Sequence, residues 1–270
     1  MSPRLLTIAR PCCLPALAAL ALLCVCPPLP AQTAAVPNAT SARRADENFA
    51  AAKKLGAKYQ WSAAIAEYKA AFAYDKTARP RNAAIELNNI GVAYGSISQY
   101  DKALTYYRQA LPIQRQVGDR EGEATTLSSI GVAYDSLGQY PRALTYFQQA
   151  LPINRQIGDR AGEADTLSNI GGTYDSLSQP DKALTYFQQA LPIQRQIGDR
   201  ADEVDTLSNI GSAYDSLSQY DKALTYYQQA LPIQKEMGDT AGAAQTLGFI
   251  QKVKSQKRQD GKATAPAISP

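Results

Sequence analysis

Residues 204–243 read VDTLSNIGSAYDSLSQYDKALTYYQQALPIQKEMGDTAGA, and near copies of this stretch begin at Ala84, Ala124 and Ala164. In its first half Leu207, Ile210, Gly211 and Tyr214 recur at i, i+3, i+4 and i+7, the spacing of one helix face. In its second half Ala223, Leu224, Tyr227, Ala230 and Leu231 share a face in the same way. Ser218–Asp221 interrupts the pattern and offers Asp221 as a helix N-cap, so each copy is expected to be a hairpin of two helices. A single hairpin cannot bury both apolar faces, whereas stacked hairpins bury a continuous core. The copies therefore predict an all-α solenoid. The period is fixed: Gly91, Gly131, Gly171 and Gly211 are 40 residues apart, and so are Tyr94, Tyr134, Tyr174 and Tyr214.

Punctuation of the helices follows the same period. Gly118, Gly158, Gly198 and Gly238 end the second helices, where a left-handed C-cap favours glycine. Asp119, Asp159, Asp199 and Asp239 follow as N-caps of the next helix, and Glu121, Glu123 and Glu163 suit the positive end of its dipole. Pro112, Pro152, Pro192 and Pro232 fall inside the second helices, where proline removes a backbone hydrogen bond and costs ~3 kcal/mol, so a common bend is expected. Pro141 fits the first turn of its helix.

Outward from the array, residues 1–31 read as a signal peptide. Arg4 and Arg10 precede an apolar run at Leu14–Val25, and Leu29-Pro30-Ala31 ends in a small residue. The run is shorter than the roughly 20 apolar residues of a membrane span. Leu23 and Val25, rather than a small residue, precede Cys24 and Cys26, which argues against a lipid-modified cysteine. All four cysteines (Cys12, Cys13, Cys24, Cys26) lie in this segment, so the mature chain would enter a disulfide-permissive compartment without a thiol. The expected location is the periplasm or the medium of a bacterium. Twenty-eight Lys and Arg against 24 Asp and Glu give +4, and loss of Arg4 and Arg10 brings this to +2, a balance that argues against nucleic acid.

Residues 32–44 read as a flexible leader and 45–83 as a divergent first hairpin, with Phe49, Ala52, Leu55, Trp61, Ile65, Tyr68 and Ala71 as its apolar positions. Regular units follow at 84–123, 124–163, 164–203 and 204–243. Residues 244–258 begin a fifth copy with Gln251 and Lys254 in place of the glycine and tyrosine, as a terminal capping helix requires. Its basic outward face (Lys252, Lys254, Lys257, Arg258) is a solubilising surface or a contact for anionic lipid or cell-wall polymer. Residues 259–270 read as a disordered tail.

The spacing Leu87, Ile90, Gly91, Tyr94, Ala103, Tyr107, Ala110, repeated as Leu127, Ile130, Gly131, Tyr134, Ala143, Phe147, Ala150 and twice more, resembles the tetratricopeptide repeat. The resemblance covers residues 45–258. The 40-residue length is similar to the long-helix subclass of kinesin light chains, G-protein-signalling modulators and bacterial arrays that accompany CHAT peptidase domains. It implies a right-handed α-solenoid whose first helices line a concave groove for an extended peptide or partner helix. By position that groove would hold Asn88, Asn89, Asn169 and Asn209 with Ser128, Ser168 and Ser208, then Val92, Val132 and Ser212, and Asp135, Asp175 and Asp215, with Asp165 and Asp205 at its edge. Amides that both donate and accept can clamp a peptide backbone, and the aspartates favour a basic ligand, unless the face is only solvated surface. The lysine and arginine clamp by which some family members hold a terminal carboxylate is absent. Near-identity of the later copies fits either a repeating ligand or recent duplication, and the oligomeric state is left open.

Chemistry has few carriers here. The chain has no histidine, and the mature part would have no cysteine, which excludes His-based triads and thiol nucleophiles and removes the common zinc ligands. Apart from the pair Gly171-Gly172 its glycines are spaced singly, and no glycine-rich phosphate-loop pattern is present. No cofactor and no metal are expected, and the reading is a non-enzymatic protein-interaction scaffold. Its alternative is an accessory subunit that positions a separately encoded peptidase or cell-wall enzyme.

Overall fold

The computed structural model describes residues 39–263, and the signal segment, most of the leader and the last seven residues lie outside the described residues. Eleven helices are present among them, with no strand. They are α1 (Ala39–Gly56), α2 (Trp61–Ala78), α3 (Pro80–Ser96), α4 (Tyr100–Gln116), α5 (Arg120–Ser136), α6 (Tyr140–Ile157), α7 (Arg160–Ser176), α8 (Pro180–Ile197), α9 (Arg200–Ser216), α10 (Tyr220–Met237) and α11 (Thr240–Ala263). Each helix packs chiefly on the one before and the one after it, and α3, α5, α7 and α9 also touch in succession. The result is an α-solenoid of five hairpins and a terminal helix. None of the described helices is long and apolar enough to cross a membrane.

Two boundaries differ from the sequence expectation. Residues 39–44 are the start of α1, held by the i,i+4 pair of Arg43 with Glu47 (2.8 Å) and by burial of Ala45, although they carry no apolar period. At the other end, residues 259–263 continue α11, and Asp260 accepts from the Tyr220 hydroxyl of α10 at 2.6 Å.

The turn inside each hairpin is also built differently. The residue before α10 is Gln219, which makes no side-chain cap, and Asp221 lies within the first turn instead. The turn closes from the preceding helix: Ser218 and Gln219 donate their N–H groups to the carbonyls of Asp215 and Tyr214, both 2.9 Å. Ser98, Gly138, Ser178 and Ser218 take the left-handed conformation that this closure needs (φ 55–69°). Between hairpins the expected punctuation is present. Asp119, Asp159, Asp199 and Asp239 each accept an N–H three residues on, at 2.9–3.2 Å.

Within a hairpin the two helices meet where a glycine faces an aromatic ring. A Cβ on Gly131 would lie 2.5 Å from Phe147, on Gly171 2.6 Å from Phe187 and on Gly211 2.8 Å from Tyr227. Beside this contact Tyr94, Tyr134, Tyr174 and Tyr214 stack on Tyr106, Tyr146, Tyr186 and Tyr226 at 5.4–5.5 Å between ring centres. Lys102, Arg142, Lys182 and Lys222 cover the first ring of each pair. The helical prolines are exposed and their helices run on through them, so each carbonyl deprived of its partner faces the solvent side.

Junctions between hairpins carry buried polar side chains at one register. Gln114, Asn154, Gln194 and Gln234 on the second helices and Thr126, Thr166, Thr206 and Thr246 on the following ones are all at most 4% exposed, and Asn154 Nδ2 donates to Thr166 Oγ1 at 3.1 Å. At the first junction this register holds Asp75 and Glu86. Arg79 donates to Asp75 at 2.5 and 3.1 Å and reaches Asp46 at 2.8 Å, while Glu86 Oε2 has no protein partner. Burial, with the hydrogen bond and charge of Asp75 behind it, holds the Glu86 carboxyl well above its ordinary value of 4.5, so it keeps a proton at neutral pH. The proton is taken up on folding, so this group stabilises fully below 4.5 and progressively less as pH rises toward the raised folded value. Thermal unfolding followed from about pH 5 to about pH 9 should show the loss, and Glu86→Gln should flatten the slope.

Candidate functional site: a trough along the first helices

The first helices of successive hairpins lie side by side because hydroxyl and amide groups 38 residues apart bond across them. Thr126 Oγ1 donates to Asn88 Oδ1 (3.0 Å), and Ser128 with Thr166 (3.3 Å) and Ser168 with Thr206 (3.4 Å) continue the ladder. The same face carries three depressions of about 490, 460 and 450 Å³. Val132, Asp165 and Asn169 line both the first and the second, and Asp205 and Asn209 line both the second and the third. The depressions therefore form one trough running from α3 to α11. Six aspartates line it, Asp135, Asp159, Asp165, Asp202, Asp205 and Asp239, and no lysine or arginine does.

Most of the polar residues anticipated as ligand contacts stand in the trough, among them Ser128, Ser168, Ser208 and Ser212. Asp165, Asp205, Asn169 and Asn209 line it openly, and Asp135 lines it while accepting from Thr173 Oγ1 at 2.8 Å. The others are engaged or elsewhere. Asn88 is taken by the inter-helix ladder, Asn89 is half-buried outside the three depressions, and Asp175 is exposed outside them. Asp215 lies outside them too, and it accepts from Lys252 of α11 at 3.3 Å, so part of the cap's basic face is turned inward onto the array. Lys257 likewise pairs with Asp221. Asn88, Ser128, Ser168, Asp135 and Asp215 each meet the position 37 or 38 residues on rather than their own copy 40 residues on, and where that position offers a hydroxyl or an ammonium the contact is internal.

The trough's charge has consequences for protonation. Burial pushes the Asp165 carboxyl up to about 6, followed by the charge and hydrogen bond of Asp202 and by Asp199 and Asp159. Burial, then Asp202 and Asp239, raises Asp205. Asp165 remains open to the trough, and with burial first and the neighbouring carboxylates second raising it, it carries its charge at pH 7.5 and takes up a proton as the pH falls through about 6. Among the described residues no group of three or more His, Cys, Asp or Glu is arranged to hold a metal ion.

A family model for the tetratricopeptide repeat matches residues 81–156, 137–196 and 162–236, which together span more than half of the chain. The chain is a tetratricopeptide-repeat protein. No curated protein matches its sequence. Among solved structures, BtubC (BKLC) from P. vanneervenii is similar with a TM-score of 0.65 at 22% identity, over 74% of this chain and 90% of that one. The STAND protein with a tetratricopeptide repeat sensor from Pyrococcus horikoshii has a TM-score of 0.69 at 18% identity, over 82% and 36%. A Rap protein complexed with Competence and Sporulation Factor has a TM-score of 0.66 at 19% identity, over 82% and 66%. At these identities the likeness is one of fold. The tetratricopeptide-repeat array is a protein-interaction scaffold in class.

Sequence reasoning missed three groups in this tetratricopeptide-repeat trough. The buried amides Asn154, Gln194 and Gln234 form part of its floor, and their signal is a polar residue recurring in an otherwise apolar register. Asp202 stands where Gly122, Gly162 and Gly242 stand in the other copies, a difference visible on aligning them. Phe249 stacks on Tyr227 at 5.5 Å and closes the far end where the repeats have asparagine or serine.

Proposed function

We propose that the chain is an exported scaffold whose trough holds an extended, cationic segment of a partner protein. The observation that carries this reading is a continuous trough lined by six aspartates with no basic residue. A cationic segment gains from that field in encounter rate and in register, and the asparagine amides accept and donate along its backbone. The fold's likeness to a Rap protein complexed with Competence and Sporulation Factor supports a ligand held by such an array. A partner that carries a catalytic domain would make the scaffold an accessory subunit of that enzyme.

A photo-crosslinking residue tests the location. Val132, 44% exposed and shared by two depressions, should capture the partner when replaced, whereas the same residue at exposed Gln149 on α6 should not. Capture at Gln149 alone would place the interface on the second helices and overturn the reading. Export rests on residues 1–31 and is tested by N-terminal sequencing of the protein recovered outside the cytoplasm. A chain beginning after Ala31 is expected, and a full-length chain retained inside contradicts it.

A further inference from the structure

One junction breaks the repeat at a position that faces the trough. Gly122, Gly162 and Gly242 pack so tightly behind their capping aspartates that a Cβ on Gly122 would lie 2.5 Å from Asp119 and 3.0 Å from the Gln114 amide. In α9 the equivalent residue is Asp202, and the cap survives, since Asp202 N–H still donates to Asp199 at 3.1 Å. The added carboxyl enters the middle depression beside Asp165 and Asp205, close enough to Asp165 to hydrogen-bond with it. In the floor lies Gln194, 1% exposed. Its Nε2 donates to Ser168 Oγ at 3.2 Å, and its Oε1 has no protein partner.

Asp165, Asp202 and Asp205, with Asp135 of the same depression already accepting from Thr173, and a free carboxamide oxygen make this depression a concentration of acceptors. An uncompensated group of this kind is costly unless a donor arrives to satisfy it. The side chains are not disposed to hold a metal ion. An ammonium offers three donors on one point, whereas a guanidinium offers five in a planar fork that pairs with two carboxylates at once and has no acceptor of its own. Resting on the reading of the trough as a cationic-segment site, we propose that the middle depression is a subsite for one arginine side chain of the bound segment, with Asp165, Asp202 and Asp205 as its anchoring carboxylates.

The probe is the acetylated and amidated peptide Gly-Ser-Ala-Arg-Ala-Ser-Gly, titrated into isotope-labelled mature chain and followed by NMR. Citrulline and lysine versions are run beside it, since citrulline keeps the shape and loses the charge. Saturable shifts of the Asp202 and Asp205 amides and the Gln194 side-chain amide are expected, with citrulline at least tenfold weaker and lysine weaker than arginine. Asp202→Gly should weaken the arginine probe at least fivefold with an unchanged unfolding midpoint, because glycine is the resident at three of the other four junctions. Lowering the pH from 7.5 to 5 should also weaken it. Asp165, faced by Asp202, Asp199 and Asp159, takes up its proton in that interval and loses its charge. Equal binding of arginine and citrulline or lysine, no effect of Asp202→Gly, or no shift with any probe overturns the subsite. In those cases the crosslinking at Val132 still decides the trough reading on its own. Shifts confined to the second helices overturn both.

Discussion

Replacing Gly171 by leucine will lower the unfolding midpoint of the array sharply, whereas Gly172→Ala will leave it unchanged or raise it. The two glycines are adjacent on α7 and differ only in what they face. A Cβ at Gly171 would lie 2.6–3.0 Å from three carbons of the Phe187 ring, and Phe187 is itself 1% exposed. A Cβ at Gly172 meets nothing within 4 Å. Replacing a helical glycine gains about 0.5–1 kcal/mol from the unfolded chain at either site. At Gly171 overpacking opposes that gain with about 1–3 kcal/mol or more, so the loss wins. A solenoid is stabilised repeat by repeat through nearest neighbours, so damage in the middle should also split one unfolding transition into two. Chemical denaturation followed by circular dichroism reads both effects. An unchanged midpoint for Gly171→Leu would mean that the helix faces are packed otherwise.

A second large effect is expected from Arg155→Ala with Arg160→Ala. Glu163 has a side chain only 7% exposed at the junction of α6 and α7, and both guanidiniums bond it, Arg155 Nε at 2.8 Å and Arg160 through Nη1. The same triad recurs as Arg115–Glu123–Arg120 and Arg195–Glu203–Arg200. Removing both cations leaves a buried carboxylate without a partner, a change that costs about 3–5 kcal/mol for fully buried pairs. The guanidiniums are close to half exposed, so water replaces part of the interaction and the lower end of that range applies. Adding Glu163→Gln to the double variant should restore much of the loss, since a neutral amide tolerates the site better. If the double variant unfolds like the parent, the triads are surface decoration and the hairpin junctions are held by apolar packing alone.

These two cases mark how far the chain's pattern could be read directly. The 3.6-residue spacing and the 40-residue period suffice for the hairpins, because Leu, Ile, Gly and Tyr at recurring positions have one way to be buried together. The Gly-Asp punctuation is legible for a similar reason, since a left-handed glycine and a capping carboxylate act within three residues of themselves. Long-range polar contacts are not written in that local grammar. Glu163 resembles a first-turn dipole residue until Arg155, eight positions earlier on the preceding helix, is seen to reach it. Asp215 resembles a groove acid until Lys252 of the cap lies against it. Helix periodicity tells which side of a helix a residue occupies, and the fold alone tells what that side meets. For the candidate site the face was therefore legible. The division between ladder, trough and cap was not.

The claim that the trough takes a cationic segment is tested most directly by selecting random twelve-residue peptides on the immobilised mature chain and on the variant Asp165→Lys with Asp205→Lys. The account predicts that peptides retained by the parent carry net positive charge and bind the variant at least tenfold more weakly, with the variant's helicity and unfolding midpoint unchanged. Peptides without positive charge, held equally by both proteins, would contradict it.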